Sequence, residues 1–196
     1  IPRHDDITGA NVIQTTGALN RILPAPAQAL NKGLILLGGP SKHHRWDSEG
    51  IVGQLQGVLA ADPAIGWTLT TSPRTPADMV GVLKNSLQGN LNIVPFADTA
   101  PDWLPARLQE CSLVWASEDS VSMVYEALSS GSKVGILGVP RKKQSSRIIR
   151  GLEELIRTGR VQAFQPGSAN LQTAPAHPPL QEAARVAEQL VQRFLQ

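Results

Sequence analysis

A chain of 196 residues, 41% hydrophobic and 17% charged, can bury the core of one large globular domain, or of one domain and a fragment of another. Its formal net charge of +2, with acids and bases interspersed, is too small to point to a nucleic-acid partner, and its lone Cys111 excludes an internal disulfide framework and a cysteine-rich zinc site. No apolar run approaches the roughly 20 residues that span a bilayer, and no signal peptide is recognisable.

The chain opens at Ile1 without methionine, through Pro2, Arg3, His4 and Asp5, which predicts a processed product or a piece cut from a longer protein. Asn11 to Thr15 reads as a short strand, and Pro24, Pro26 and Asn31 mark a connector before the first clear strand at Leu34 to Leu37. That strand breaks at Gly38-Gly39-Pro40. Asp47 and Ser48 offer N-caps for a helix from Glu49 to Ala60, with Ile51, Val52, Leu55, Val58 and Leu59 on one face. Trp67 to Thr71 is the next strand. Thr75 can cap a helix with Pro76 in its first position, Asp78 in its first turn and an apolar stripe of Met79, Val80, Leu83 and Leu87. Leu91 to Phe96 reads as a third strand, followed by a proline-bearing segment with a short helix near Trp103, Leu104 and Leu108. Ser112 to Ala116 is a fourth strand, leading into a helix that ends at Ser130 with Gly131 as C′ residue, and Lys133 to Leu137 is a fifth. A helix from Ser145 to Arg157, a small strand at Val161 to Phe164, a Pro/Ser/Ala-rich loop to Pro179 and a helix from Leu180 to Phe194 close the chain.

Strands alternating with helices at this spacing predict right-handed β-α-β units in a three-layer α/β domain with a mainly parallel sheet. The strands at Leu34, Thr68, Ile93, Val114 and Val134 are expected inside, and the helix from Leu180 is expected near the N-terminal segment. Ligands of such sheets bind beyond the carboxyl ends of strands, near a topological switch point. The loops at Gly38 to Asp47, Thr71 to Thr75, Phe96 to Thr99 and Ser117 to Ser122 should therefore converge on one rim.

Strand, glycine turn and helix together form the arrangement in which backbone N–H groups hold an anion, and Lys42 and Arg45 add positive charge there. The same residues also suit an ordinary turn with solvated cations. The spacing is neither a Walker loop nor the G-x-G-x-x-G fingerprint. Arg74 offers a guanidinium fork on the same rim, for a phosphate or for a surface ion pair. Asp119, Ser120 or Ser122 can cap the following helix, whose start also presents free N–H groups to a diphosphate. Glu126, about one turn inside, can accept from a ribose diol or remain a solvated helix residue. The expected phosphate or nucleotide set is thus Gly38, Gly39, Ser41, Lys42, Arg45, Arg74, Ser120, Ser122 and Glu126, sharing one pocket at its phosphate end. His4 with Asp5, and His43 with His44, lack metal-ligand spacing; Arg141 to Lys143 reads as a solvated basic loop, and Cys111 as a packing residue. No catalytic residue, metal ligand or cofactor is assigned.

Gly38 to Trp46, Thr70 to Pro76 and Ser117 to Ala127 together resemble the mitochondrial fission ELM family, which includes plant organelle-division factors and bacterial proteins labelled nucleoside-diphosphate-sugar epimerases. Ile1 to Asp5 and Asn11 to Asn20 resemble that family's central connector. The resemblance runs to Arg157 and implies a C-terminal portion: residues 1–32 a connector and remnant of an N-terminal domain, residues 33–196 a Rossmann-like domain of nucleotide-sugar-binding type. The family in turn resembles GT-B glycosyltransferases, whose C-terminal half holds the donor. The type that transfers N-acetylglucosamine to a lipid-linked precursor has a glycine loop resembling Gly38 to Ser41 and a ribose-binding glutamate resembling Glu126. Glu118 and Asp119 depart from its small Ser-Gly-Ala turn and would repel a diphosphate unless Arg45 or Arg74 compensates. The epimerase label has no support, since neither G-x-x-G-x-x-G nor Tyr-x-x-x-Lys occurs.

Two functions follow from the resemblance. One is a bacterial glycosyltransferase-like protein of the cytoplasm whose C-terminal half takes a nucleotide-sugar of UDP type, its acceptor unidentified and nucleic acid no partner. The other is a non-catalytic GT-B-like protein of organelle or cell-envelope division, acting through protein contacts or peripherally at the inner face of a membrane through the missing domain.

Overall fold

The computed structural model describes residues 7–142 and 146–194. Six parallel strands form one sheet: β1 (Ala29–Leu36), β2 (Gly66–Thr70), β3 (Leu91–Val94), β4 (Cys111–Ser117), β5 (Lys133–Leu137) and β6 (Val161–Ala163), in the order β3-β2-β1-β4-β5-β6. Helices α1 (Ser48–Ala61), α2 (Met79–Ser86), α3 (Trp103–Glu110), α4 (Val121–Ser130) and α5 (Arg147–Arg157) lie between them, and α6 (Glu182–Phe194) follows.

The period-two alternation of a strand sends neighbouring side chains to opposite faces, which builds two cores here. Ile35, Leu37, Trp67, Leu69, Leu113 and Trp115 pack with Ile51, Leu55 and Val58 of α1 and with Met79 and Leu83 of α2. Leu34, Leu36, Val114, Ala116, Val134 and Ile136 pack with Leu108 of α3, Val124 and Leu128 of α4 and Leu152 and Leu155 of α5. A sheet apolar on both faces is the signature of a doubly covered parallel sheet, so the three-layer Rossmann-like expectation holds.

Several local expectations are corrected. Residues 11–15 form no strand beyond an isolated bridge at Thr15, and side chains of α6 bind the backbone on either side of it, with Thr16 N–H donating to Glu182 Oε2 at 2.8 Å and Arg185 Nη2 donating to the Gln14 carbonyl at 2.6 Å. These contacts do place the last helix against the N-terminal segment. β1 begins at Ala29, ahead of the expected Leu34 and before the connector boundary drawn at residue 33. β3 is an edge strand and stops at Val94; at the next inward-facing position Phe96 N–H donates to the Thr71 hydroxyl at 3.0 Å in place of a ladder carbonyl, and a 3₁₀ turn over Phe96–Asp98 follows. α2 starts at Met79 and Thr75 does not cap it. The Thr75 hydroxyl instead donates to the Gly38 carbonyl and accepts from Ser72 N–H at 2.9 Å. Asp47 does cap α1, through Gly50 N–H, and Gly131 ends α4 with φ 92°. Ser146 caps α5, and the expected start at Ser145 lies outside the described residues.

Bonding to Arg185, helped by the Thr16 N–H, holds the Glu182 carboxyl below its ordinary range. Such a group contributes stability that is present above its unfolded value, about pH 4.3, and is lost as pH falls through the lower folded value. Glu182→Gln should therefore cost about 1 kcal/mol at pH 7 in urea unfolding and flatten the acid side of the stability profile.

Candidate functional site

The strand order reverses between β1 and β4, so their carboxyl ends form the switch-point crevice. The loops after β1, β2 and β4 meet there, as expected, but they meet around an internal carboxylate. Asp119, whose side chain has 0% exposure, accepts from Gly39 N–H at 2.8 Å to Oδ2 and is ion-paired with Arg74, whose Nη1 is also 2.8 Å from Oδ2. Ser117 Oγ donates to its Oδ1 at 2.8 Å, and Gly38 N–H donates to that same hydroxyl oxygen at 2.8 Å. Arg74 Nη1 also donates to the Gly39 carbonyl at 2.7 Å. The glycines are required by these close approaches. A Cβ on Gly38 would stand 2.1 Å from Asp119 Oδ2, and one on Gly39 would stand 2.0 Å from the Arg74 carbonyl oxygen.

The rest of the turn is folded back on itself and on the segment after β5. Ser41 N–H donates to the His44 carbonyl, and the Ser41 hydroxyl accepts from the N–H groups of His43 and His44. Arg45 N–H donates to the Pro140 carbonyl and Lys142 N–H to the His43 carbonyl, with His44 and Arg141 bridged antiparallel. This pairing turns Arg45 outward. It is exposed and lines no part of the cavity, so the structure does not bring it together with Lys42 and Arg74.

Glu118, the other acid, is met by Arg141 Nε at 2.5 Å, and Arg141 also reaches Glu153. The cations that answer the two acids are therefore Arg74 and Arg141, and Arg141 is no solvated loop residue. Lys143 lies outside the described residues. His44 is buried, its Nε2 3.8 Å from Glu118 Oε1; burial lowers its pKa in spite of that carboxylate, leaving a neutral ring. Among the described residues no group of three or more His, Cys, Asp or Glu could hold a metal ion.

A cavity of about 320 Å³ opens above this knot, lined by Ser41, Lys42, Arg74, Asp119, Ser120 and Ser122 among others. Gly38 and Gly39 lie beneath it, behind Asp119. Ser120 makes no side-chain cap on α4, and the N–H groups of Val121 and Ser122 find no acceptor among the described residues. Glu126 belongs to a second cavity, of about 450 Å³, with Arg21, Thr71, Phe96, Trp103 and Met123. Burial raises its pKa, with Arg21 opposing, and its carboxylate has no hydrogen-bond partner among the described residues. The expected set is thus divided over two cavities on one rim. Sequence reasoning gave Thr75 to a helix cap and Arg141 to a solvated loop, and it assigned Ser117 no role of its own. The signal available was the adjacent pair Glu118 and Asp119 at the end of an apolar strand, which demands buried cations.

A family model described as Mitochondrial fission ELM1 matches residues 1–194. The Mitochondrial fission protein ELM1 of Arabidopsis thaliana is 26% identical over 196 residues, covering 92% of this chain and 45% of the relative; the chain thus spans about half of it. Two solved structures share the fold: a putative UDP-N-acetylglucosamine 2-epimerase from Listeria monocytogenes and the MurG protein of Acinetobacter baumannii. The first is 13% identical with a TM-score of 0.54, over 84% of this chain and 46% of that one. The second is 13% identical with a TM-score of 0.52, over 95% and 58%. At these identities the likeness is one of fold.

Removing one partner of a buried ion pair strands the other charge. Arg74→Ala should therefore destabilise the domain by about 2 kcal/mol in urea unfolding, below the range for a fully buried pair because Arg74 is 41% exposed. Arg45→Ala should change it by less than about 0.5 kcal/mol.

Proposed function

Since the chain belongs to the Mitochondrial fission ELM1 family, we propose that it is the donor-binding half of a glycosyltransferase-like protein, taking a nucleotide-sugar at the carboxyl edge of its sheet. The observation that carries this reading is the open start of α4. Its first N–H groups have no partner among the described residues and look onto a cavity with Lys42 and Arg74 in its wall. A helix N-terminus with adjacent cations is a phosphate site by construction.

Glu126 supports the reading from the other side. It lies on the same helix, in the wall of the larger and mostly apolar cavity, and its carboxylate has no hydrogen-bonded partner among the described residues. A partly buried charge that the fold itself does not satisfy is suited to a pair of ribose hydroxyls. Thr71, Phe96, Trp103 and Leu104 offer the base or sugar an apolar wall. The acceptor would be presented by another part of the protein, and so would any contact with a membrane surface. Among the described residues no helix is long and apolar enough to cross a membrane.

The test is a thermal-shift and calorimetric screen with UDP-, GDP- and CMP-linked sugars, the UDP class being the one the family resemblance implies. Lys42→Ala should weaken the nucleotide that binds. Glu126→Gln should weaken it roughly ten-fold or more, since a bond to a charged acceptor contributes about 1.5–3 kcal/mol. An acid with a raised folded pKa favours the fold at low pH and loses that contribution as pH rises through the folded value. The same Glu126→Gln change should therefore raise the melting temperature at pH 7 while lowering affinity. A loss of both, or no response to any nucleotide, would turn the assignment toward a non-catalytic protein.

A further inference from the structure

From Gly38 to Arg45, every amide but one in the loop that resembles a phosphate cradle is already engaged. Gly38 N–H is held by Ser117 Oγ, Gly39 N–H by Asp119, Ser41 N–H by the His44 carbonyl, His43 and His44 N–H by Ser41 Oγ, and Arg45 N–H by the Pro140 carbonyl. Pro40 has no N–H, and only Lys42 keeps an amide without an acceptor among the described residues. The Asp119 carboxylate also takes the Arg74 guanidinium and lies close enough to Gly38 to forbid a Cβ there. An anion is therefore already bound to the glycine turn, and it is part of the chain.

We propose that Asp119 sets the number of phosphates the ligand carries: its carboxylate stands in the anion position of the glycine turn, so the site takes a nucleotide with a single phosphate and discriminates against a diphosphate. The inference rests on the nucleotide reading above and narrows it to donors whose sugar is linked through a nucleoside monophosphate. A single phosphate placed at Lys42 and the start of α4 meets donors that are free. A second phosphate beside it would reach amides that are occupied and an arginine already shared. It would also lie against a like charge where little water screens the repulsion. A like charge fixed in the place a second phosphate would need, its one arginine already engaged, is a common way of building specificity.

Calorimetry with the pairs UMP and UDP, CMP and CDP, and GMP and GDP, on the longest natural form of the protein that contains this chain, separates the cases. For the base that binds, the monophosphate should bind the wild type at least as tightly as the diphosphate. Asp119→Asn keeps the shape and an acceptor for Gly39 N–H while removing the charge, so it tests the idea even if Asp119→Ser does not fold. In Asp119→Asn the diphosphate should gain roughly ten-fold relative to the monophosphate, the scale of one bond to a charged group, and more in Asp119→Ser. A wild type that prefers the diphosphate by ten-fold or more, with that ratio unchanged in the variants, overturns the role of Asp119 and leaves the nucleotide reading standing. No binding of any nucleotide by wild type or variants overturns both.

Discussion

A carboxylate with no exposed surface has to find its donors and its counter-charge inside the fold, and Asp119 finds them on the two neighbouring strand ends. Gly39 comes from the loop after β1, Arg74 from the loop after β2 and Ser117 from the end of β4. Leaving such a charge unpaired costs several kcal/mol, so the three loops are not free to drift apart independently. The geometry of the rim follows from this. Thr75 is drawn onto the Gly38 carbonyl and away from α2, and the two glycines are pressed into contacts that no side chain could share.

Glu118 repeats the arrangement on the other side of the crevice with Arg141, which ties the loop after β4 to the segment after β5 and onward to Glu153 of α5. The two acids point into two different ion pairs, so their adjacency in sequence produces no mutual crowding in space. With its own acids neutralised internally, the crevice keeps Lys42 and the start of α4 as free attraction for a ligand.

Most of the fold was legible from periodicity alone, because continuous apolar runs such as Leu34 to Leu37 and Leu113 to Ala116 permit little besides a strand covered on both faces. The misreadings fell where a backbone is held by side chains distant in sequence. Residues 11–15 have strand-like composition, yet Glu182 and Arg185 take their hydrogen bonds; Thr75 has the right spacing for a cap, yet Gly38 claims its hydroxyl. The rim itself was legible, since the loops after successive parallel strands must share an edge. The division of its residues into two cavities was not. It depends on which segments close around α4: Ser120 and Ser122 meet the loop after β1, whereas Glu126 meets Arg21, Phe96 and Trp103, and nothing local in α4 announces that split.

The clamp between α6 and the N-terminal segment joins residues 166 positions apart. During synthesis this segment leaves the ribosome well before its partner helix. Until Glu182 and Arg185 leave the exit tunnel, the Gln14 carbonyl and the Thr16 N–H lack the bonds that α6 supplies. The sheet can assemble strand by strand during translation, but the segment ahead of β1 is fixed in place only once α6 has been delivered. A message cut short within the proline-rich stretch before α6 would yield a domain with its sheet complete and its leading segment unfastened.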